Sequence, residues 1–406
     1  MRYDIIVIGA GTSAGFLLAF LDERGDARRK KILLLEKSKE PFRKIYASGN
    51  GRCNFSNTKI TESSYYSIEG SDAWKKSAFK SAAKLDLKQF FHGKGIPSYS
   101  DEFGRLMPYT NSAKTIGIFF ERYINASSVE LKCYSQAIAI SKNDCGFTVK
   151  YKHDKEVVSL DTGAVVYACG GSAYPQMGTD GSGFELLSKM GHRIVKQTAG
   201  IVPLETKETG FHELAGLKTE CKIAVSGYSR KGELLFTKYG ISGPNALYAS
   251  NEISLGLAGG PVKIIVDFLP EDNLSLEYFR SLYCAAKEKS IAATFGGALN
   301  GEFIRVFMRH SHLKGEISPD EVKSVYSRLK NVELTVTKTR PMQEAQVSLG
   351  GVFADELDPA SFESKLHKNL FVTGEAIDYT GGCGGYNIHW CAVTARGVAD
   401  RLGETV

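Results

Sequence analysis

The chain has 406 residues, 43% of them hydrophobic and 24% charged, a globular composition that excludes general disorder, a collagen-like repeat and a disulfide-stapled mini-protein. At about 150 residues per domain, the length points to two or three domains. The net charge of +6 is too mild to indicate a nucleic-acid face, which needs clustered basic residues. Eight cysteines, at 53, 133, 145, 169, 221, 284, 383 and 391, include no C-x-x-C pair. That spacing speaks against a zinc or dithiol centre, so no metal is expected, and it points to a reducing, cytoplasmic setting.

The apolar run after Met1 and Arg2 carries Asp4 and glycines at 9, 11 and 15, so it reads as a strand and not a leader. Tyr3–Ile8 is a strand buried on both faces. A glycine loop follows, then a helical pattern over Phe16–Leu21, a charged connection, and a second buried strand over Ile32–Leu35 that ends at Glu36. This is a complete βαβ unit. Helices are expected over 73–93 and 112–125. Short strands follow at 129–134, 136–141, 146–151 and 156–160, then an apolar strand at 163–169 and a helix at 181–191. From about 192 the texture changes to antiparallel alternation, with strands at Lys222–Ser226, Leu234–Thr237 and Val262–Phe268. Residues 274–330 read as helices whose lysines form a solvated face, and Val332–Thr337 as a strand. From 345 the glycine-punctuated, buried texture returns, ending in a helix over 388–402. No stretch reaches the about 18 uninterrupted apolar residues of a membrane span.

The reading is an α/β protein. Its first domain is a doubly wound parallel sheet plus a β-meander, over 1–191, resuming at 345–406. An insertion at 192–344 is β-barrel-like over 192–270 and 332–344 and helical over 271–331.

Gly9-x-Gly11-x-x-Ala14 is the dinucleotide fingerprint. The first glycine permits the turn, the second lets the backbone approach a pyrophosphate, and the third position must be small for the helix to pack on the strand. Ser13 lies in the first helical turn, whose free N–H groups attract phosphate. Glu36 and the adjacent Lys37 close the second strand, where an acid accepts from ribose hydroxyls and repels a 2′-phosphate. FAD is favoured over NAD by two features. The fingerprint begins at residue 9, and a second buried strand near the C-terminus ends in Thr373-Gly374-Glu375, which resembles the second FAD motif, in which the acid meets the ribityl or pyrophosphate region. After it, Gly381-Gly382-Cys383-Gly384-Gly385-Tyr386-Asn387 opens a helix and forms a second anion site, suited to the N1/O2 edge of a flavin.

Four further segments carry a resemblance. They are Arg43-Lys44-Ile45 with Ser48-Gly49-Asn50-Gly51-Arg52-Cys53-Asn54, Ala168-Cys169-Gly170-Gly171 with Tyr174-Pro175, Gly232–Thr237 with Gly240–Pro244, and Ala345-Gln346-Val347 with Gly350-Gly351-Val352. Together, in this order, they resemble the BaiN/YhiN-type flavoproteins, bacterial NAD(P)/FAD-dependent oxidoreductases that include aminoacetone oxidase-like members. Asn50, Cys169, Ser348 and Cys383 depart from the usual pattern by small changes. The resemblance implies FAD, with NADH or NADPH as a transient donor and a small-molecule substrate. Members have been linked to enone reduction on bile acids and to amine oxidation, so reductase and oxidase remain open.

Within that frame Lys44 and Arg52 are candidates to neutralise pyrophosphate or flavin charge. Gly51, Cys53, Asn54 and Gly170 complete the cofactor contacts. Tyr174, His389 and Lys44 are the candidate catalytic groups, and Tyr386 and Tyr109 are further candidates to line the flavin face. The reaction expected is hydride transfer to or from flavin N5. Gly178-Thr179-Asp180-Gly181-Ser182-Gly183 is glycine-rich but does not directly follow a buried strand, so no second dinucleotide domain is expected. An RNA-modifying flavoprotein and a non-catalytic flavin sensor are the competing readings. No nucleic-acid or membrane partner is expected from the composition.

Overall fold

A strand without a polar face must be covered on both sides, and in β1 (Arg2–Ile8) the residues Ile6 and Val7 are wholly enclosed. The computed structural model describes residues 2–126 and 128–404. They fall into two compact units, Met1–Thr198 with Gln346–Val406, and Ala199–Ala345.

The first unit is built on a seven-stranded sheet. β1 leads through α1 (Thr12–Glu23) to β2 (Ile32–Leu35), parallel to β1 with Ile5 opposite Ile32. Gly15 of α1 is required by packing, because a Cβ there would lie 2.5 Å from the Phe120 ring. Next to β2 runs β3 (Val129–Lys132), with Ile32 opposite Val129. β4 (Ser135–Asn143), β5 (Gly146–His153) and β6 (Glu156–Tyr167) form the antiparallel meander. The far half of β6 runs parallel to β1 and to the strand Leu370–Val372.

Three expectations need correction in this unit. The stretch at 129–134 is not part of the meander but the edge of the parallel sheet. Its half-exposed residues alternate as an antiparallel strand's would. Residues 156–160 and 163–169 are not two strands but largely one, because Gly163 is no break. It lets the Asp4 carbonyl approach to 3.2 Å of where a Cβ would be. The helix expected over 73–93 is two, Asp72–Lys84 and Leu87–Gly93. Asp86 caps the second by accepting from Gln89 N at 3.0 Å, an interaction that competes with helix continuation.

The second unit contains a closed six-stranded barrel: Leu204–Thr206, Gly240–Ser242, Tyr228–Thr237, Lys218–Val225, Val262–Asp267 and Val332–Thr339, in that neighbour order. Closure removes the unpaired edges that an open sheet would expose. Four helices cover 276–329, begun by Ser275, Ser290, Asn300 and Ser318 as N-caps. Phe268 and Phe303 meet in the core with ring centroids 4.4 Å apart.

The stretch read as continuous antiparallel sheet also holds a helix, Gly243–Gly256. Its hidden face mixes Ala246, Ala249 and Ile253 with buried polar side chains. Asn251 Oδ1 accepts from Ile201 N at 2.9 Å, and Ser254 Oγ donates to Ala199 O at 2.7 Å. Hydrophobic periodicity is silent about a face buried through hydrogen bonds. Among the described residues no helix is long and apolar enough to cross a membrane.

Candidate functional site

Every candidate cofactor-binding or catalytic residue named from the sequence lies in the first unit. The turn after β1 is set by Gly9, whose φ is 97° and whose added Cβ would lie 2.6 Å from the Ala168 carbonyl oxygen. Gly11 is different. A Cβ there would meet nothing nearer than Ala168 O at 3.7 Å, an ordinary contact. The fold's own packing does not demand this glycine. Gly11 is also the N-cap of α1, with no side-chain cap and no acid in the first turn, leaving the helix N–H groups and positive dipole end unanswered.

Glu36 braces this corner. Its Oε2 accepts from Ala10 N at 2.9 Å and its Oε1 from Ser38 N at 2.7 Å. Each oxygen keeps a second lone pair for a hydroxyl. A cavity open to solvent is bounded by Gly9–Gly11, Glu36–Ser38, Ser135–Ala137 and Gly178–Gly183. A bare glycine, an uncapped helix and an acid on one cavity fit the adenosine diphosphate part of a dinucleotide such as FAD. Ser135–Ala137 were not foreseen, because their placement comes from the chain crossing from the sheet edge into the meander.

Lys44 and Glu375 were expected as separate charges, and the structure joins them. Lys44 Nζ lies 2.9 Å from Glu375 Oε2. Glu375 Oε1 accepts from Ser348 N at 2.8 Å and Ser348 Oγ at 3.0 Å. Gly374 has φ 64°, and its added Cβ would lie 2.4 Å from Ser13 Oγ. The first turn of α1, the short helix Arg43–Ala47 and the Thr373–Glu375 corner therefore meet. The Lys44 ammonium is thus held in an ion pair with the Glu375 carboxylate. Ser348 had been noted only as a departure from the pattern.

The loop at 49–53 holds Gly49, Asn50, Gly51 and Cys53 at φ 57°, 55°, 79° and 59°. Side-chain carbons disfavour this region, and Asn tolerates it better than most. A Cβ on Gly51 would meet nothing within 4 Å, so this edge is open. Arg52 donates from Nε to Gly49 O at 3.4 Å and joins no ion pair among the described residues. Cys53 is fully enclosed, and burial pushes its thiol up to about 12, which speaks against a thiolate nucleophile there. The backbone carbonyls of Asn54 and Ser56 press on Gly385, leaving no room for a Cβ. The two glycine loops thus touch.

Three expected site residues are engaged by the fold itself. Asn387 accepts from Gly381 N at 2.9 Å and donates to Gly381 O at 2.8 Å, so its amide closes its own loop. Tyr386 begins the C-terminal helix Tyr386–Glu404 and sets its ring 6.2 Å from that of Tyr65. His389 is fully buried, with Nδ1 2.8 Å from Ser56 Oγ and Nε2 2.8 Å from Ala82 O. A carbonyl only accepts, so Nε2 carries the proton and Ser56 donates to Nδ1. His389 is a satisfied core histidine and not a catalytic group.

Burial holds the His389 pKa below its ordinary value. In the interval below about 6.5 the unfolded chain binds more protons than the folded one, so stability rises with pH across it. The stability difference between wild type and His389→Gln is expected to shrink as pH falls below about 6.5. Urea denaturation at stepped pH measures it, and a pH-independent difference would contradict the assignment.

Tyr174 is half-buried with φ 61°, a strained state for a bulky residue of the kind that collects at functional sites. Gly170, φ 72°, lies on the same connection. Tyr109 is 66% exposed and packs on Tyr99 with centroids 5.7 Å apart, so it is a surface residue. Lys37 Nζ reaches Asp180 Oδ1 at 2.6 Å, which draws the unassigned glycine-rich stretch 178–183 into the cavity wall.

Residues 3–401 match the HI0933-like protein Rossmann domain family. A 3-dehydro-bile acid delta(4,6)-reductase of Clostridium scindens is 30% identical, over 97% of this chain and 98% of its own. A ribosomal RNA dihydrouridine synthase of Escherichia coli is 26% identical, over 99% of this chain and 98% of its own. Among solved structures, the 3-ketosteroid delta1-dehydrogenase of Sterolibacterium denitrificans aligns over 100% of both chains with a TM-score of 0.51 at 11% identity. A quinol fumarate reductase of E. coli aligns with a TM-score of 0.51 at 13% identity, over 100% of this chain and 70% of its own. At such identities the structural likeness speaks for the fold. With a family match across nearly its whole length, the chain belongs to the HI0933-like Rossmann family, the BaiN/YhiN-type group that its motifs resemble.

Proposed function

We propose that the chain is an FAD-dependent reductase of carbon–carbon double bonds conjugated to a carbonyl. The carrying observation is the corner of Gly9, Gly11 and Glu36, where an uncapped α1 opens on a cavity that the fold leaves free. The names of the two curated relatives support the direction, since each describes the saturation of a conjugated double bond. Bound there, FAD would supply hydride exchange at N5. The chain's own residues bind, orient and charge the site. Glu36 receives ribose hydroxyls, the Lys44–Glu375 pair fixes the central corner, and Arg52 brings an ion-pair-free guanidinium beside the open edge at Gly51.

Tyr174 is the proton donor in this reading, its phenol giving a proton to the carbon that becomes saturated. Tyr174→Phe is expected to lower kcat about a hundredfold with FAD affinity unchanged. Steady-state rates across pH, beside a flavin titration, test it, and an unaltered kcat would remove Tyr174 from the chemistry. All eight cysteines are free thiols, which supports a reducing, cytoplasmic setting.

A small-molecule enone is the first substrate reading. A uracil base in RNA is the second, favoured by the dihydrouridine synthase relatives at 26% identity. The deciding experiment records the visible spectrum, adds NADH or NADPH without oxygen, and then offers a steroid enone or a uridine-containing ribosomal RNA. Bleaching of the flavin band and its return with one substrate supports the proposal and identifies the class. A bound flavin that neither nicotinamide bleaches, with peroxide formed from amines, would overturn it in favour of an oxidase.

A further inference from the structure

We propose that Lys37 and Asp180 are a clasp at the adenosine end of the cofactor cavity, and that their pairing sets how fast the cofactor leaves. The inference rests on the reading that this cavity holds FAD. Two walls face each other there, the stretch following β2 and the glycine-rich stretch 178–183, far apart in sequence yet both bounding the cavity. Lys37 Nζ spans them, 2.6 Å from Asp180 Oδ1 and 3.5 Å from Ser182 Oγ. Asp180 is aimed beforehand, because the same Oδ1 accepts from Ser182 N at 3.1 Å and Ser182 Oγ at 2.6 Å.

The walls are drawn together at two further points. Arg43 Nη2 donates to Gln176 O at 3.2 Å. Gly178 approaches Ser38 so closely that an added Cβ would lie 2.9 Å from Ser38 Oγ.

The clasp is built to open. Its side chains are 29% and 48% exposed, so solvent screens the pair and its closure is readily reversible. Gly178 and Gly181, at φ 103° and 76°, flank Asp180, and glycine reaches other backbone conformations at less steric cost than other residues. A ligand filling this end touches both walls and leaves only after they part. The pair thus acts on retention, whereas Glu36 and the bare Gly11 act on recognition. This gives the glycine-rich stretch a role that does not require a second nucleotide domain.

The test follows flavin release from the reconstituted holoprotein by the rise of its fluorescence, with an excess flavin scavenger present. Lys37→Met and Asp180→Asn are each expected to speed release about fivefold, the worth of an exposed ion pair near 1 kcal/mol. The double variant should be no faster than either single one. The charge-exchanged pair, Lys37→Asp with Asp180→Lys, should recover part of the slow release. Raising salt should speed release in the wild type and leave Lys37→Met unchanged, a readout that needs no intact double variant. Wild-type rates in both single variants, or effects that simply add, would overturn the clasp while leaving FAD binding intact. A wild type that takes up no flavin on reconstitution would overturn the cofactor reading, and the clasp with it.

Discussion

Replacing Gly11 with alanine is expected to weaken FAD binding about thirtyfold, an overpacking cost of ~2 kcal/mol against the incoming pyrophosphate. The stability of the FAD-free protein should change by less than about 1 kcal/mol. The backbone at Gly11, φ −90° and ψ −168°, suits any residue, and an added Cβ would meet only an ordinary contact at 3.7 Å. Gly9→Ala is the contrast. Its φ of 97° and three backbone atoms within 2.9 Å of the new Cβ would force the turn itself to move, so folding and binding should fall together. Calorimetric FAD titration beside urea denaturation of the FAD-free protein separates the two. Gly11→Ala binding FAD as tightly as the wild type would mean that no ligand backbone passes there.

Glu36→Ala carries the second large effect. Two backbone amides, Ala10 N and Ser38 N, would lose their carboxylate acceptor at once, and each half-hidden amide left unpaired costs about 1–3 kcal/mol. The expected result is ~3 kcal/mol of lost stability and an FAD affinity lower by about a hundredfold. Glu36→Gln should be intermediate. Its amide keeps one acceptor but turns an N–H₂ group toward the other backbone donor. Thermal melts with and without FAD report both quantities. A variant that loses stability yet binds FAD normally would show that Glu36 only braces the turn.

How much of this was legible depends on the kind of signal. The βαβ unit at the start was readable residue by residue, because its strands are buried on both faces and appear as unbroken apolar runs. The glycine pattern of the turn was readable because phosphate approach needs bare backbone at a set spacing. The helix Gly243–Gly256 was not, since Asn251 and Ser254 bury it through hydrogen bonds to chain about 50 residues away. His389 looked like a candidate acid–base group because its residue type is reactive. Its two partners, Ser56 and Ala82, lie more than 300 residues away in the chain.

The sequence by itself determined the local elements: the fingerprint turn, the acid at the end of β2, the two glycine loops, and the motif order that marks the family. These are set by short-range sterics and by patterns a few residues long. Only the tertiary structure decided which charges are spent on each other. It paired Lys44 with Glu375 across 331 positions and Lys37 with Asp180 across 143, retired His389 and Asn387 to structural duty, and left Arg52 outside any described ion pair. The physical reason is that a side chain's chemistry depends on its desolvation and its nearest partner, and the chain's path through space sets both.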